Sequence, residues 1–207
     1  GRIAPCQRVV DLIHGALSSA VPDKVIAACS GVCASATFIG QMPDTGALWV
    51  YLETIGGGSG ARHNKDGLDG VHVHMTNTSN LPVEALEVEY PLTILRYELV
   101  DGSGGTGKFR GGMGLRRVYR AEAPCRVRVD NSRISSRPWG LDGGGEGSMS
   151  AINCSEGVPP LVRGDGPLKP GDLVDIITPG AGGYGPASER DPNAVARDRR
   201  ERRFVGA

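Results

Sequence analysis

Within the run DGVHVHMTNTSNLPVE, His72 and His74 stand one residue apart. On an extended strand that spacing puts both imidazoles on one face. An unperturbed imidazole titrates close to neutrality, so either ring can take or give a proton. The same pair could hold a divalent cation with Glu84 or Asp69 as an oxygen ligand, but two ligands do not make a site, and no metal ligands are assigned. His72 and His74 are thus the candidate catalytic pair; the competing reading is that they anchor neighbouring loops by hydrogen bonds. Just downstream, Thr76, Asn77, Thr78 and Asn80 offer hydroxyls and amides to a small polar ligand. They are equally suited to capping turns ahead of Pro82. Thr76, Asn77 and Asn80 join Arg62 as candidate substrate-binding residues. Arg62 and Glu53 flank a glycine-rich loop whose small residues let backbone amides approach a ligand. Arg62 could meet a ligand carboxylate or form an internal salt bridge, and Asp66 and Asp69 in KDGLDG suit turns.

Other constellations carry less. DGSGGTGKFRGG, residues 101 to 112, sets Gly102, Gly107 and Lys108 at phosphate-loop spacing, but Phe109 stands where a hydroxyl should reach Mg²⁺. Three further glycines and LRRVYR follow, which continue as a strand and not as a helix that could point amides at a phosphate. Ser59 lies in GGSGA, which is not the GxSxG nucleophile elbow. The five cysteines are scattered, and Cys29 with Cys33 is the one close pair; without a second pair it does not complete a zinc site, so the thiols read as buried or incidental. Cys125 falls in a strand pattern with no His near it in sequence. No nucleophile stands out.

The elements that must position these groups are mostly short strands. Residues 5 to 20 carry Val9, Leu12, Ile13, Ala16, Leu17 and Ala20 at helical spacing behind Pro5. AACSGVCASATFIGQ is small and apolar with no clear period, a buried loop or short strand. LWVYLETI (48 to 55), LTILRYELV (92 to 100) and CRVRVD (125 to 130) read as strands. LKPGDLVDIITPGAGGYG places a Pro-Gly-Asp turn before a strand and glycines after it. Asp191 and Pro192 open a C-terminal helix on which Asp198 and Arg202 have i,i+4 spacing. The class is α+β, mainly β, with an amphipathic helix near each terminus.

Composition bounds the rest. Gly is 32 of 207 residues and aromatics are 5%, which leaves few large side chains for an independent interior. Support from a partner subunit follows as an expectation. Zero formal net charge gives no reason to expect nucleic acid or an anionic membrane as partner. No apolar run has transmembrane length, and a soluble cytoplasmic protein is expected.

The strings ETIGGGSGAR, DGVHVHMTNTSNLPVE, RYEL followed by SGGTGKFRGG, SRPWGLDGGGEG and TPGAGGYGPASERDP, in that order, resemble the C-terminal part of the hydantoinase B, or oxoprolinase B, family. The resemblance spans nearly the whole chain, so residues 1–207 are taken as a single C-terminal region of a larger assembly. It implies a subunit or fragment of an ATP-dependent hydrolase of cyclic amides, such as hydantoins, 5-oxoproline or lactams. In that setting Thr76, Asn77 and Asn80 would meet the ring's carbonyl and N–H. The implied partners are a hydantoinase A-like subunit and a chain carrying the B-type N-terminal half. ATP and a divalent metal are expected mainly on those partners, because the Asn-Asp-Pro-Tyr and Gly-Gly-Thr-His-type motifs tied to the metal are absent here. Two alternatives stay open: a subunit of an ATP-dependent ketone carboxylase of the acetone or acetophenone type, and a non-catalytic structural subunit.

Overall fold

The computed structural model describes residues 3–31, 34–158, 161 and 164–203. Helix α1 (Ile3–Leu17) precedes β1 (Ala34–Gln41) and β2 (Leu48–Ile55); α2 (Val83–Glu89) and β3 (Leu92–Leu99) follow. Then come β4 (Leu115–Ala121), β5 (Cys125–Asp130), β6 (Ala151–Cys154), β7 (Gly164–Leu168), β8 (Leu173–Ile177) and α3 (Pro192–Arg200). The strands form two antiparallel four-stranded sheets, ordered β2-β1-β5-β7 and β3-β4-β8-β6. The mainly-β α+β class is what the structure has.

Alternation along the strands explains the sandwich. In β5, Cys125, Val127 and Val129 point inward while Arg126, Arg128 and Asp130 point out. β2 buries Trp49, Tyr51, Glu53 and Ile55 and exposes Leu48, Val50 and Leu52. Between the sheets, Phe38 from β1 meets Tyr119 from β4 with ring centroids 4.9 Å apart, alongside Leu115, Val174 and Ile176. The segment that had no readable period contains β1, an eight-residue strand whose inward positions are Ala34, Ala36 and Phe38. Its period is hidden because small residues occupy both faces.

Beyond one end of the sandwich the packing changes in kind. Extended segments around residues 26–30, 57–61, 66–71, 103–114, 138–147 and 179–185 hydrogen-bond to one another through their backbones. Gly112 N–H donates to Ser59 O, Ala181 N–H to Gly112 O, Gly182 N–H to Ala28 O and Ala28 N–H to Trp139 O, at 2.8–3.0 Å. Neighbouring backbones lie so close that a Cβ on Gly58 would overlap the Gly112 carbonyl, and one on Gly112 the Leu68 carbonyl. Glycine is required here because the backbones themselves form the interior. The phosphate-loop look-alike belongs to this region, as the connection between β3 and β4, and Lys108 pairs with Glu189 at 3.1 Å.

Arginine–carboxylate pairs tie α3 onto the glycine bundle. Asp191 caps the helix by accepting from Ala194 N–H at 3.0 Å, as its sequence predicts. The expected Asp198–Arg202 pair is not formed. Asp198 is buried against Arg190 at 2.6 Å, and Arg202 meets Asp101 instead, at 2.8 Å. Asp66 and Asp69 do more than shape turns: Asp66 holds Arg190, and Asp69 holds Arg110 through both oxygens at 2.6 and 2.9 Å.

Helix α1 reverses the usual orientation. The whole apolar stripe, Val9, Leu12, Ile13, Ala16, Leu17 and, just beyond the helix, Ala20, is exposed, whereas Gln7 and Asp11 are buried. The helical period is present, but its polar side faces the protein.

Candidate active site

The backbone from Gly56 to Val71 folds back on itself, with Gly57 N–H donating to Val71 O at 3.0 Å. This brings His72 beside the glycine bundle and opens a cleft of about 820 Å³. Arg62, His72, His74, Asn77, Thr78 and Asn80 line it, together with Cys29 and Tyr97. Five of the six candidates read from the sequence thus converge on one concavity. Thr76 does not: its hydroxyl accepts from Gln7 Nε2 at 2.9 Å and donates to Val73 O, which docks α1 over the loop.

The histidines reach the cleft by a route other than the one their spacing suggests. They are not on a strand, and His74 lies in the left-handed region at φ 56°, which breaks the two-residue alternation. The two rings accordingly have different surroundings. Both His72 ring nitrogens are buried without a hydrogen-bond partner. Burial lowers its pKa, with the Thr54 backbone opposing weakly, so the ring is neutral at physiological pH. His74 Nε2 lies 3.0 Å from Asp11 Oδ1. Burial alone would lower the His74 pKa, but hydrogen bonds to Asp11 and Cys29 outweigh it and raise it to about 10. His14, its ring centroid 6.3 Å from that of His74, is pushed the other way by burial and by the neighbouring imidazolium.

Arg62 is exposed on the cleft rim, and no carboxylate pairs with it among the described residues. The internal salt bridge is therefore not formed. Asn80 is fully engaged within the protein. Its Nδ2 donates to Glu53 Oε1 and Thr54 O, both at 2.8 Å, and its Oδ1 accepts from Tyr97 OH at 2.8 Å. Glu53 continues inward to Tyr119 OH and to Arg117, which is wholly buried with its guanidinium 4.4 Å from the Tyr97 ring centroid. Asn80 thereby fastens the cleft wall to the sandwich core.

Sequence reasoning missed Asp11 and Cys29. Asp11 Oδ1 accepts the Cys29 backbone N–H at 3.1 Å as well as facing His74, and Oδ2 accepts from Arg133 Nη2 at 3.1 Å. The Cys29 sulfur accepts Gly60 N–H at 3.2 Å. Cys33, the other half of the close cysteine pair, lies outside the described residues. Cys125, by contrast, is a core thiol that burial pushes up to about 11.

Asp11, Cys29 and His74 offer ligand atoms within 4.8 Å of one another, a set that by type could bind zinc. The surroundings do not fit a dication. Both Asp11 oxygens are already committed, one of them to a guanidinium, so a metal would face the Arg133 cation and displace charge-assisted hydrogen bonds. Of the oxygen ligands considered for a histidine metal site, Asp69 is already held by Arg110 and Arg203. The loop before β4 likewise does not fit ATP, because no helix follows it to turn amides toward a phosphate.

The fold and site together are two antiparallel sheets and a polar cleft bordered by a glycine-rich loop. Comparison with known proteins makes this specific. The profile of the hydantoinase B/oxoprolinase family matches residues 1–187. The chain is 43% identical over 201 residues to an uncharacterized protein of Methanocaldococcus jannaschii, covering 96% of this chain and 35% of that one. It is 34% identical over 198 residues to the B-type component of a putative D-/L-hydantoinase from a Pseudomonas species, covering 92% and 33%. The crystal structure of the ATP-dependent caprolactamase from Pseudomonas jessenii superposes with a TM-score of 0.76 at 25% identity, covering 92% of this chain and 35% of that one. The chain belongs to the hydantoinase B/oxoprolinase family. It spans about a third of the length of these relatives. No helix among the described residues is long and apolar enough to cross a membrane.

Proposed function

We propose that residues 1–207 act as one C-terminal B-type region of an ATP-dependent cyclic-amide hydrolase and form one wall of its substrate site. The observation that carries this reading is the cleft itself. It presents neutral donors and acceptors from Asn77 and Thr78, a neutral His72, and one cation, Arg62, with no carboxylate partner among the described residues. That set suits a small ring amide with a pendant anionic group: amide and hydroxyl groups meet the carbonyl and N–H, and the guanidinium meets the carboxylate. The Pseudomonas hydantoinase component and the caprolactamase are named for cyclic amides, which supports the ring-amide part of this reading.

The rest of the site belongs to partners in this reading. A hydantoinase A-like subunit supplies ATP binding, and the remaining B-type sequence supplies the metal. The exposed stripe of α1, with Leu12 66% and Ile13 53% exposed, is the face that this remaining sequence covers. The test is turnover of the assembled complex on hydantoin, 5-oxoproline and caprolactam, with and without bicarbonate. Ring opening independent of bicarbonate is expected, with Arg62→Ala raising KM roughly 10- to 100-fold for the carboxylate-bearing ring alone. A bicarbonate requirement would replace the hydrolase with a carboxylase, and unchanged kinetics in Arg62→Ala would remove Arg62 from the site.

A further inference from the structure

We propose that the free edge of β2 receives one extended segment of the B-type sequence lying outside residues 1–207, which adds to the sheet as a further strand. The proposal deepens the assembly reading above and rests on its view that the remaining B-type sequence packs on this chain. It starts from the four sheet edges, β2 and β7 in one sheet and β3 and β6 in the other. An edge strand with unpaired backbone groups is a template for another strand, and proteins blunt edges that must stay free with short strands, prolines, bulges and charges. β6 has only four residues. β7 carries Pro167, which has no N–H to offer, and an exposed Asp165. β3 has a register shift between Ile94 and Arg96 and exposed charges at Arg96 and Glu98, and its Ile94 N–H donates to Glu87 Oε1 at 2.8 Å. β2 has none of these devices: its eight residues pair one to one with β1, with no proline, no bulge and no charge on the outer face.

The backbone register says which groups are open. Successive residues of an antiparallel strand turn their N–H and C=O to opposite sides. Met42 N–H donates to Ala47 O at 2.8 Å across the hairpin, so Ala47 and, in step with it, Trp49, Tyr51 and Glu53 face β1. Leu48, Val50, Leu52 and Thr54 face the other way. Thr54 O is closed off by Asn80 Nδ2 at 2.8 Å, whereas no hydrogen bond reaches the Leu48, Val50 or Leu52 backbone from that side among the described residues. The side chains of the same three residues are exposed, Leu48 by 73% and Leu52 by 62%, and Ile39 beside Val50 widens the apolar row.

A groove of about 710 Å³ runs along this edge, and its opposite bank is Leu81, Pro82 and Tyr90. Tyr90 packs against Trp49 and Tyr51 from the core side, with ring centroids 5.8 and 4.9 Å away. The bank selects the occupant. A second copy pairing β2 with β2 would bring its own β1 and its own bank to the same place, whereas a single extended segment needs only the width of one strand, roughly 4.7–4.9 Å. Such a segment has a source: this chain covers 35% of one relative and 33% of another, so most of the family's sequence lies outside residues 1–207. The segment's chemistry follows from its two faces. Alternate side chains meet Leu81, Pro82 and Tyr90 on one face and continue the row of Val50 and Leu52 on the other. A run of about five uncharged residues rich in Val, Ile and Leu fits both.

The experiment has two arms on the assembled complex, and neither depends on which ring is opened. In the first, hydrogen exchange is resolved residue by residue. The Val50 and Leu52 amides should exchange within about tenfold of the Tyr51 and Glu53 amides, which β1 holds, and faster exchange would show an open edge and overturn the proposal. In the second, Leu52 is replaced by the photo-crosslinker p-benzoylphenylalanine, and the adduct formed on irradiation is located by peptide mass spectrometry. An adduct with an apolar segment of B-type sequence outside residues 1–207 supports the proposal. An adduct joining two β2 strands assigns the edge to a second copy, and one with the A-like subunit assigns it to that partner; either result, or no adduct, overturns the proposal. Val50→Pro removes an N–H that this chain does not use, so the Tyr51 and Glu53 amides should stay protected while the adduct is lost. Val50→Thr, which keeps the N–H, should retain it. An adduct that survives Val50→Pro would show contact without strand pairing and overturn the proposal. A complex that needs bicarbonate yet protects Val50 and Leu52 would remove the hydrolase reading and leave the added strand in place.

Discussion

The sandwich and the glycine bundle solve the same packing problem in opposite ways. Between the sheets, Phe38, Tyr119, Ile55 and Leu92 fill space with side chains whose neighbours can shift a little when one is trimmed. In the bundle, Gly58, Gly112 and Gly182 fill space with backbone, and carbonyl oxygens lie where a Cβ would stand. The first design fails by losing volume and the second by gaining it. Low aromatic content therefore does not leave the chain without an interior of its own, because much of that interior is peptide groups satisfied by one another.

The contrast predicts a ranked set of losses. Gly112→Ala should be the most damaging single change. The added methyl meets the Leu68 carbonyl, a backbone atom that cannot swing aside, so destabilisation should exceed the roughly 4–5 kcal/mol that marks an exceptional mutation. Gly46→Ala is its control: with φ 69° and nothing within 4 Å of the new atom, it should cost about 1–2 kcal/mol from backbone strain alone. Urea midpoints of the two variants measure the difference, and equal midpoints would erase the distinction between the regions. Phe38→Ala comes next, at about 3–5 kcal/mol, with the loss coming from a cavity between the sheets. Hydrogen exchange should place that loss in β1 and β4 and leave the bundle amides protected; uniform loss of protection would show the two regions to be one cooperative unit.

The remaining effect is pH-dependent and concerns His74, at the border of the bundle. Its folded pKa of about 10 lies above the ordinary imidazole value of 6.5. The protonated ring therefore stabilises the fold fully below pH 6.5, and that contribution is lost as pH rises toward 10. Thermal midpoints should fall across this window in the wild type, and the slope should flatten in His74→Asn. A slope unchanged by the substitution would show that His74 is not the titrating group.

Legibility in the sequence follows the same divide. β2 and β5 were readable because alternate positions differ in polarity, and the start of α3 because Asp191 and Pro192 are local signals. β1 was obscured by small residues on both faces. The α1 period was correct, but which face a helix buries depends on what it packs against, and nothing local says that Gln7 and Asp11 face inward. Arg62, His72, His74 and Asn77 could be nominated from type and spacing. Their convergence with Cys29 and Asp11 depends on contacts across tens of residues, which periodicity does not encode. The Asp198–Arg202 expectation failed for a related reason: Arg190 and Arg110 reach Asp198 from outside its helix.

The glycine bundle also bears on how this protein would look in solution. Many of its extended segments have ladder-like backbone bonding without belonging to a named strand or helix. Far-ultraviolet dichroism, which registers regular helix and sheet, would count much of residues 103–114 and 138–147 as irregular. Amide exchange would find several of those N–H groups, including Gly105, Gly111, Gly112 and Gly145, locked in place by the Ala181, Gly105, Ser59 and Thr106 carbonyls. To one spectrometer this part of the protein is coil, and to another it is among the slowest-opening parts of the chain.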